Sequence, residues 1–243
     1  MRKAMIIGVV FGGLGVAPAA AKENHEARRV LATFAECVVK DSRAVTSRAI
    51  VEDWDSKALI EHKSKPISSS CLRGAGFIAQ LRASPQMMKA AIAEQLVRRD
   101  KIVVQAADVA KLAPLNYRMP TPVVTINART GKPLDAKAVD AQKAAVAATL
   151  GAIALNQLGE CVVQADPTGA RSVLDTPIGK PEELAAINAI TPVMGQCLPK
   201  DFKLVLDRST VRSAVALSYY RMAMAARGTV WAGEASAGAG AAH

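Results

Sequence analysis

The chain has few of the side chains that most known active sites use. It contains three histidines and only 4% aromatic residues. No HExxH, GxSxG or Ser-x-x-Lys arrangement stands in a recognisable setting. The scarcity of aromatic side chains that could stack on bases also disfavours nucleic acid as a partner. The sequence therefore predicts no catalytic residue, no cofactor and no metal ligand.

Long apolar runs are missing beyond the N-terminal segment. Arg2 and Lys3 precede an apolar stretch at 4–16 and small residues at 19–21, which predicts a signal peptide over residues 1–21. No later run reaches the 18 uninterrupted apolar residues of a membrane span, so we expect no transmembrane segment in the mature chain. No cysteine lies at the expected cleavage position, which argues against a lipid anchor. The expected location is the periplasm or the exterior.

The CxxC motif is absent although the chain has four cysteines. Its absence disfavours a thiol redox site, and it disfavours the main rival interpretation of the cysteines, a zinc site built from all four. An even number of cysteines in an exported protein predicts two disulfides, and the sequence alone leaves three pairings open.

What the chain does contain is an internal repeat. Glu36-Cys37-Val38-Val39 recurs as Glu160-Cys161-Val162-Val163, and Pro66-Ile67-x3-Cys71-Leu72 recurs as Pro192-Val193-x3-Cys197-Leu198. Shorter matches follow the same order: Arg48 to Glu52 with Arg171 to Asp175, Lys89 with Arg212, and Arg98 with Arg221. A tandem duplication explains the order and spacing. Because a unit that once existed alone would have paired its own cysteines, the repeat favours Cys37 with Cys71 and Cys161 with Cys197.

The composition favours helices. The chain is 51% hydrophobic and visibly rich in alanine, which is typical of helices that pack through small side chains rather than of a β-sandwich. We predict a mainly α fold of two tandem pseudo-symmetric modules, each with about four short helices and one disulfide. The expected divisions are module 1 at 22–100, a Pro-containing connector at 101–134, module 2 at 135–231 and a disordered Gly/Ala tail at 232–243.

Local signals place several helix ends. Asp135 is a plausible N-cap for a helix that runs towards Val163, and Ser84-Pro85 and Pro181 are typical helix starts. Proline lacks an amide hydrogen, so the helix that starts at Pro181 is expected to end before Pro192. In the connector, β-branched segments at 102–104 and 123–126 predict a short β-ribbon.

The charge is strongly basic and uneven. The formal net charge is +10, which becomes +8 without Arg2 and Lys3. The excess lies in the first module and the connector. Such a surface could attract an anionic envelope component, such as lipopolysaccharide or anionic phospholipid, or an acidic protein. The alternative is a solvated basic face that aids solubility.

Two matched arginines carry the sharpest site hypothesis. Arg48 and Arg171 follow the first cysteine of their module by ten or eleven residues, where a helical hairpin could bring them beside Glu36 and Glu160. An ion pair that closes each hairpin is the favoured structural interpretation. The alternative is an anion site, because guanidinium binds carboxylate or phosphate through two hydrogen bonds.

The duplicated pattern resembles a group of uncharacterised secreted proteins of Gram-negative bacteria. The resemblance is carried by Glu36 to Val39 with Cys71-Leu72, and by Glu160 to Val163 with Cys197-Leu198. It implies architecture and a periplasmic or secreted location, and no activity or functional residue. Two function classes remain. We favour a non-catalytic periplasmic binding or scaffold protein of the cell envelope that uses the groove between its modules, and the alternative is an envelope hydrolase with an unrecognised active site.

Overall fold

The structure is a computed structural model. It describes residues 25–55, 58–59, 67–68, 70–71, 84–198 and 206–228. The predicted signal peptide at 1–21 and the predicted disordered tail at 232–243 lie outside these residues.

The described residues are mainly helical, which confirms the prediction of a mainly α fold. The helices are α1 (His25–Val51), α2 (Pro85–Arg99), α3 (Ala106–Val109), α4 (Ala136–Ala165), α5 (Pro167–Asp175), α6 (Pro181–Cys197) and α7 (Arg208–Ala226). The described part of the chain contains no strand. Where a β-ribbon was predicted, the structure has a single antiparallel bridge between Ile126 and Pro133.

Side-chain caps start the long helices where the sequence predicts them. The Asp135 carboxylate accepts a hydrogen bond from the amide of Ala138 at 2.7 Å, and the Ser84 hydroxyl accepts one from Met87 at 3.2 Å. Each cap satisfies an amide that has no partner within its helix. The helix starts at Asp135 and at Ser84-Pro85 are therefore confirmed.

The predicted helix end before Pro192 is wrong. Helix α6 continues through Pro192 as far as Cys197. The proline leaves the carbonyl of Asn188 without its usual amide partner, but Asn188 and Pro192 both lie on the exposed side of the helix. Water can bond that carbonyl, which lowers the cost of proline at this position.

One hydrophobic core joins helices from both halves of the chain. Helix α1 packs on α2, α4 packs on α7, and α2 packs on α7 at the centre. Core members come from both predicted modules and include Val38, Ile92, Leu96, Val162, Leu174, Leu217 and Tyr219. The connector contributes as well, because Ile102, Val104 and Val109 are buried in the same cluster.

The contact between α4 and α7 depends on a glycine. A Cβ atom on Gly159 would lie 2.4 Å from the carbonyl oxygen of Ala214, so a larger residue would force the helices apart. Beside this contact, the Ser218 hydroxyl donates to the carbonyl of Asn156 at 2.9 Å. These contacts fix the C-terminal third of α4 in the core.

The structure pairs Cys37 with Cys71 and Cys161 with Cys197, with sequence separations of 34 and 36 residues. These are the pairs that the repeat favours. The carboxylate of Asp41 lies beside the sulfurs of Cys37 and Cys71, but both sulfurs are held in the disulfide, so this group can bind a metal only after reduction. Two disulfides are typical of an oxidising environment, either extracellular or periplasmic.

Helix α4 is long and apolar enough, by length and composition alone, to cross a membrane, with a mean hydropathy of 1.5 over its most apolar window. Core helices of soluble proteins can pass the same test. Its buried residues all lie in its last third, from Asn156 to Val163. The long N-terminal part of α4 is therefore largely uncovered.

Candidate functional site

A groove lies between the C-terminal half of α1, the end of α2 and the end of α7. Its volume is about 410 Å³, which is within the range of small-molecule sites. Arginine, aromatic and methionine side chains line it: Arg43, Arg48, Arg227, Trp54, Tyr220 and Met224. The groove thus combines positive charge with apolar and aromatic surface.

Two of the groove arginines have acidic partners. Arg43 binds Asp100 through two parallel hydrogen bonds, from Nε to Oδ1 at 2.9 Å and from Nη2 to Oδ2 at 2.8 Å. The hydrogen bond from Arg43 to Asp100 raises the pKa of its guanidinium. Arg48 pairs with Glu52 at 2.8 Å. Arg227 forms no ion pair with any described residue, so the groove keeps an excess positive charge.

The polar groups beside the arginines are held by hydrogen bonds. The Tyr220 hydroxyl donates to Ser47 at 2.6 Å, and burial raises the pKa of Tyr220, although the hydrogen bond to Ser47 opposes that rise. A tyrosine with a raised pKa cannot serve as a base for Ser47 at neutral pH. The Trp54 indole N–H donates to Glu52 at 2.7 Å, which fixes the ring at the groove wall.

The predicted hairpin-closing ion pairs are not formed. Arg48 pairs with Glu52 instead of Glu36, and Arg171 pairs with Asp175 at 2.8 Å instead of Glu160. Both partners lie four residues further along the chain, Asp175 at the end of α5 and Glu52 one residue after α1, where the helical spacing makes the side chains neighbours. Glu36 is exposed on α1.

The two matched arginines also lie in different surroundings. Arg48 lines the groove, whereas Arg171 donates to the backbone carbonyl of Ile102 in addition to binding Asp175. The structure therefore does not bring the two arginines together into one anion site. Arg43 and Arg227, which the sequence did not single out, join Arg48 instead.

Glu160 belongs to a separate buried cluster. Its carboxylate accepts hydrogen bonds from the Tyr117 hydroxyl and from the amide of Leu115 at 3.3 Å. Arg221 stacks over the Tyr117 ring at 5.0 Å and donates to the carbonyl of Asn116 at 2.6 Å. This cluster attaches the connector to α4 and α7, and Glu160 does not line the groove.

We expect Glu160 to give the fold an unusual dependence on pH. Burial raises its pKa, against the opposing effects of Tyr117, Leu115 and Arg221. A carboxyl whose pKa is raised on folding stabilises the protein below its unfolded pKa, and that contribution is lost as the pH rises through the folded pKa. Replacing Glu160 with glutamine should therefore change stability by only about 1 kcal/mol at neutral pH and should remove this pH dependence.

Urea unfolding followed from pH 4 to pH 8 measures this effect. The matched control is Glu36→Gln, which changes the aligned position of the predicted repeat on an exposed surface. A Glu160→Gln variant with the same pH profile as the original protein would contradict the assignment.

A buried ion network ties four helices together at the centre of the molecule. Arg28 of α1 binds Glu183 of α6 at 2.5 Å, and Arg212 of α7 binds Glu183 at 2.9 Å and Glu94 of α2 at 2.8 Å. Each of these side chains is at most 7% exposed. Arg98 adds a further contact to Glu94 at 3.1 Å.

The backbone supports the same network. Arg212 donates to the carbonyls of Leu174 and Thr176 at 3.2 and 2.9 Å, and the amide of Gly179 donates to Glu183 at 2.9 Å. The three buried ion pairs are thus supplemented by hydrogen bonds from and to the backbone. The adjoining cavity measures about 30 Å³ and has room for a water molecule. We assign this network to structure.

Comparison with protein-family models, with curated proteins and with solved structures found no significant match.

Proposed function

We propose that the protein is an exported, non-catalytic binding protein of the cell envelope that holds a small anionic ligand with an apolar portion. The observation that carries this proposal is the groove of Arg43, Arg48 and Arg227 beside Trp54 and Tyr220. Guanidinium groups bind carboxylate or phosphate, and the aromatic rings supply apolar contact area. The excess positive charge in the groove favours an anion over a neutral ligand.

Several structural features support the proposal that the groove lies between two duplicated modules. α1 has a non-helical residue at Ser42, six residues after Glu36, and Asp166, the residue that follows the end of α4, lies six residues after Glu160. The ion pair of Arg48 with Glu52 has its counterpart at the aligned positions 171 and 175. Under this proposal α1 and α2 belong to the first module and α7 to the second, so the groove lies at their junction.

The proposed location rests on two independent features. The N-terminal residues have the pattern of a signal peptide, and the two disulfides suit an oxidising compartment. A basic groove is useful there, because the envelope presents many phosphate and carboxylate groups.

The alternative, an envelope hydrolase, has one observation in its favour. Glu160 is buried and its pKa is raised, which is a property of many general acids. The lining of the groove does not include Glu160, and its carboxylate is engaged by Tyr117 and Leu115. Binding is therefore the better supported function.

Calorimetric titration with phenyl phosphate tests the proposal. Phenol and inorganic phosphate are titrated separately, because they carry only the apolar part and only the anionic part of that ligand. We expect phenyl phosphate to bind more tightly than either. Replacing Arg227 with methionine should weaken binding about tenfold, because it removes a charge-assisted contact of about 1.5 kcal/mol. Arg227 is exposed at the end of α7, so the change should not disturb folding.

The matched control is Arg29→Met, which removes an exposed arginine from α1 away from the groove. Its affinity for phenyl phosphate should stay within about twofold of the original, because surface charges at a distance are screened. Equal losses in the two variants, or no binding by the original protein, would rule out the groove as the site.

A further inference from the structure

The N-terminal part of α4 and the preceding connector form a structured projection from the core. Val124 donates to the Gln142 side chain at 3.0 Å and accepts from it at 3.2 Å. Leu134 donates to the carbonyl of Thr125 at 2.8 Å, next to the bridge between Ile126 and Pro133. We call residues 118–155 the arm. These bonds make the arm one folded unit.

The arm is uncovered and apolar. Four of the six large hydrophobic residues that are exposed in the described chain lie in it: Met119, Val124, Ile126 and Leu150. Helix α4 has no buried residue before Asn156. Exposed large apolar side chains concentrated in one part of a surface mark a site of interaction.

The charge on the arm is positive. Residues 118–155 contain five lysines and arginines and two aspartates. Asp135 caps α4, and Asp140 pairs with Lys143. Arg118 pairs with Asp55, which lies outside the arm. The other cations, Arg129, Lys132 and Lys137, have no ion-pair partner among the described residues, so the apolar surface carries uncompensated positive charge.

We infer that the arm docks on an anionic phospholipid surface, with α4 lying along the boundary between headgroups and acyl chains. Basic side chains attract anionic headgroups, and apolar side chains of the same arm enter the acyl region. A second copy of the chain is a poorer occupant, because two arms packed together would bring their uncompensated cations towards one another. The proposal does not depend on the anion groove.

The arm should lie on the membrane rather than cross it. The stretch at 144–155 carries no charged or amide side chain, and at 1.5 Å per residue it is about 18 Å long. The hydrocarbon core is about 30 Å thick. The following residues of α4 are fixed in the protein core by Leu158, Val162 and the disulfide of Cys161.

Binding to lipid vesicles tests the inference. The protein is mixed with vesicles of equal parts phosphatidylglycerol and phosphatidylcholine, or with pure phosphatidylcholine vesicles, and the bound fraction is measured by flotation. We expect binding to the anionic vesicles, weaker binding to phosphatidylcholine and a decrease with added salt.

Two matched pairs of substitutions locate the surface. The arm variant carries Val124→Asp and Leu150→Asp, at residues that are 51% and 45% exposed. The control variant carries Val103→Asp and Leu184→Asp, at residues outside the arm that are 61% and 37% exposed. The arm variant should bind anionic vesicles at least tenfold more weakly, and the control should stay within twofold of the original. All variants share the same apolar N-terminal residues, so a difference in vesicle binding among them comes from the substituted side chains. Far-ultraviolet circular dichroism and the urea midpoint check that each variant folds.

Three results would overturn the inference. The first is an original protein that does not float with phosphatidylglycerol vesicles. The second is an equal loss in the arm and control variants, which would indicate general surface hydrophobicity. The third is self-association of the original protein, measured by sedimentation equilibrium, that the arm variant abolishes while vesicle binding is unchanged. That result would assign the arm to a second copy of the chain.

Discussion

Replacing Glu183 with glutamine is expected to lower the free energy of unfolding by about 3–5 kcal/mol. Glu183 is completely buried between Arg28 and Arg212. The substitution leaves both guanidinium groups in the core with less opposing charge, and breaking one side of a buried pair costs far more than the pair contributes in net terms. Urea unfolding at neutral pH measures the loss.

The neighbouring Glu182 provides a matched control. It occupies the same first turn of α6 but is exposed, so Glu182→Gln should change stability by no more than about 0.5 kcal/mol. Similar effects at the two positions would contradict a buried network.

The Glu183 variant should also lose part of the acid sensitivity of the fold. Burial tends to raise the pKa of Glu183, but hydrogen bonds from Arg28 and Gly179 and the charges of Arg28 and Arg212 outweigh it and lower that pKa. A lowered pKa gives stability that is present above the unfolded pKa and is lost as the pH falls through the folded pKa. The penalty of Glu183→Gln should therefore shrink in acid, the opposite of the behaviour expected at Glu160.

Removing the disulfide between Cys161 and Cys197 is expected to cost about 4 kcal/mol. The bond joins the end of α6 to α4 across 36 residues. Without it the unfolded chain gains conformational freedom, so the folded state is relatively less stable. Urea unfolding of the double alanine variant measures the change. The corresponding variant at Cys37 and Cys71 should lose a similar amount, because its loop of 34 residues is almost as long.

Reduction of the original protein separates this effect from packing changes at alanine. Full reduction should destabilise the original protein by more than the loss of either disulfide alone. It should leave the stability of a variant without cysteines unchanged. An unfolding curve that is insensitive to full reduction would contradict the disulfide assignment.

The features that the sequence predicts well are local ones. The N-caps at Asp135 and Ser84 depend on residues within one turn of each other, so a short pattern is sufficient. The cysteine pairing is long-range, but the recurring sequence pattern indicates it, because each predicted module carries its own two cysteines. The predicted helix end before Pro192 was wrong, because the rule that proline ends a helix does not consider which side of α6 faces water.

The predicted acidic partners of the matched arginines were also wrong, although the sequence contained the signal. Glu52 and Asp175 occupy aligned positions four residues after Arg48 and Arg171. That spacing places the side chains together on any helix, whereas the predicted hairpins required a particular tertiary turn.

The buried network could not have been found from one sequence. Glu183 follows Glu182 in the first turn of a helix, where the helix dipole already accounts for two acids. Only the tertiary packing of α1, α2 and α7 distinguishes the buried acid from the exposed one. The groove is similar, because Arg43 comes from α1 while Tyr220 and Arg227 come from the end of α7, and the three residues share no motif.

Nuclear magnetic resonance of the side chains in the groove tests the proposed function most directly. During titration with phenyl phosphate, the indole N–H signal of Trp54 and the Nε–H signals of Arg43, Arg48 and Arg227 should shift together and saturate. The signal of Arg29, which lies away from the groove, should not move. Unchanged groove signals, or equal shifts at Arg29 and Arg227, would contradict a specific anion site.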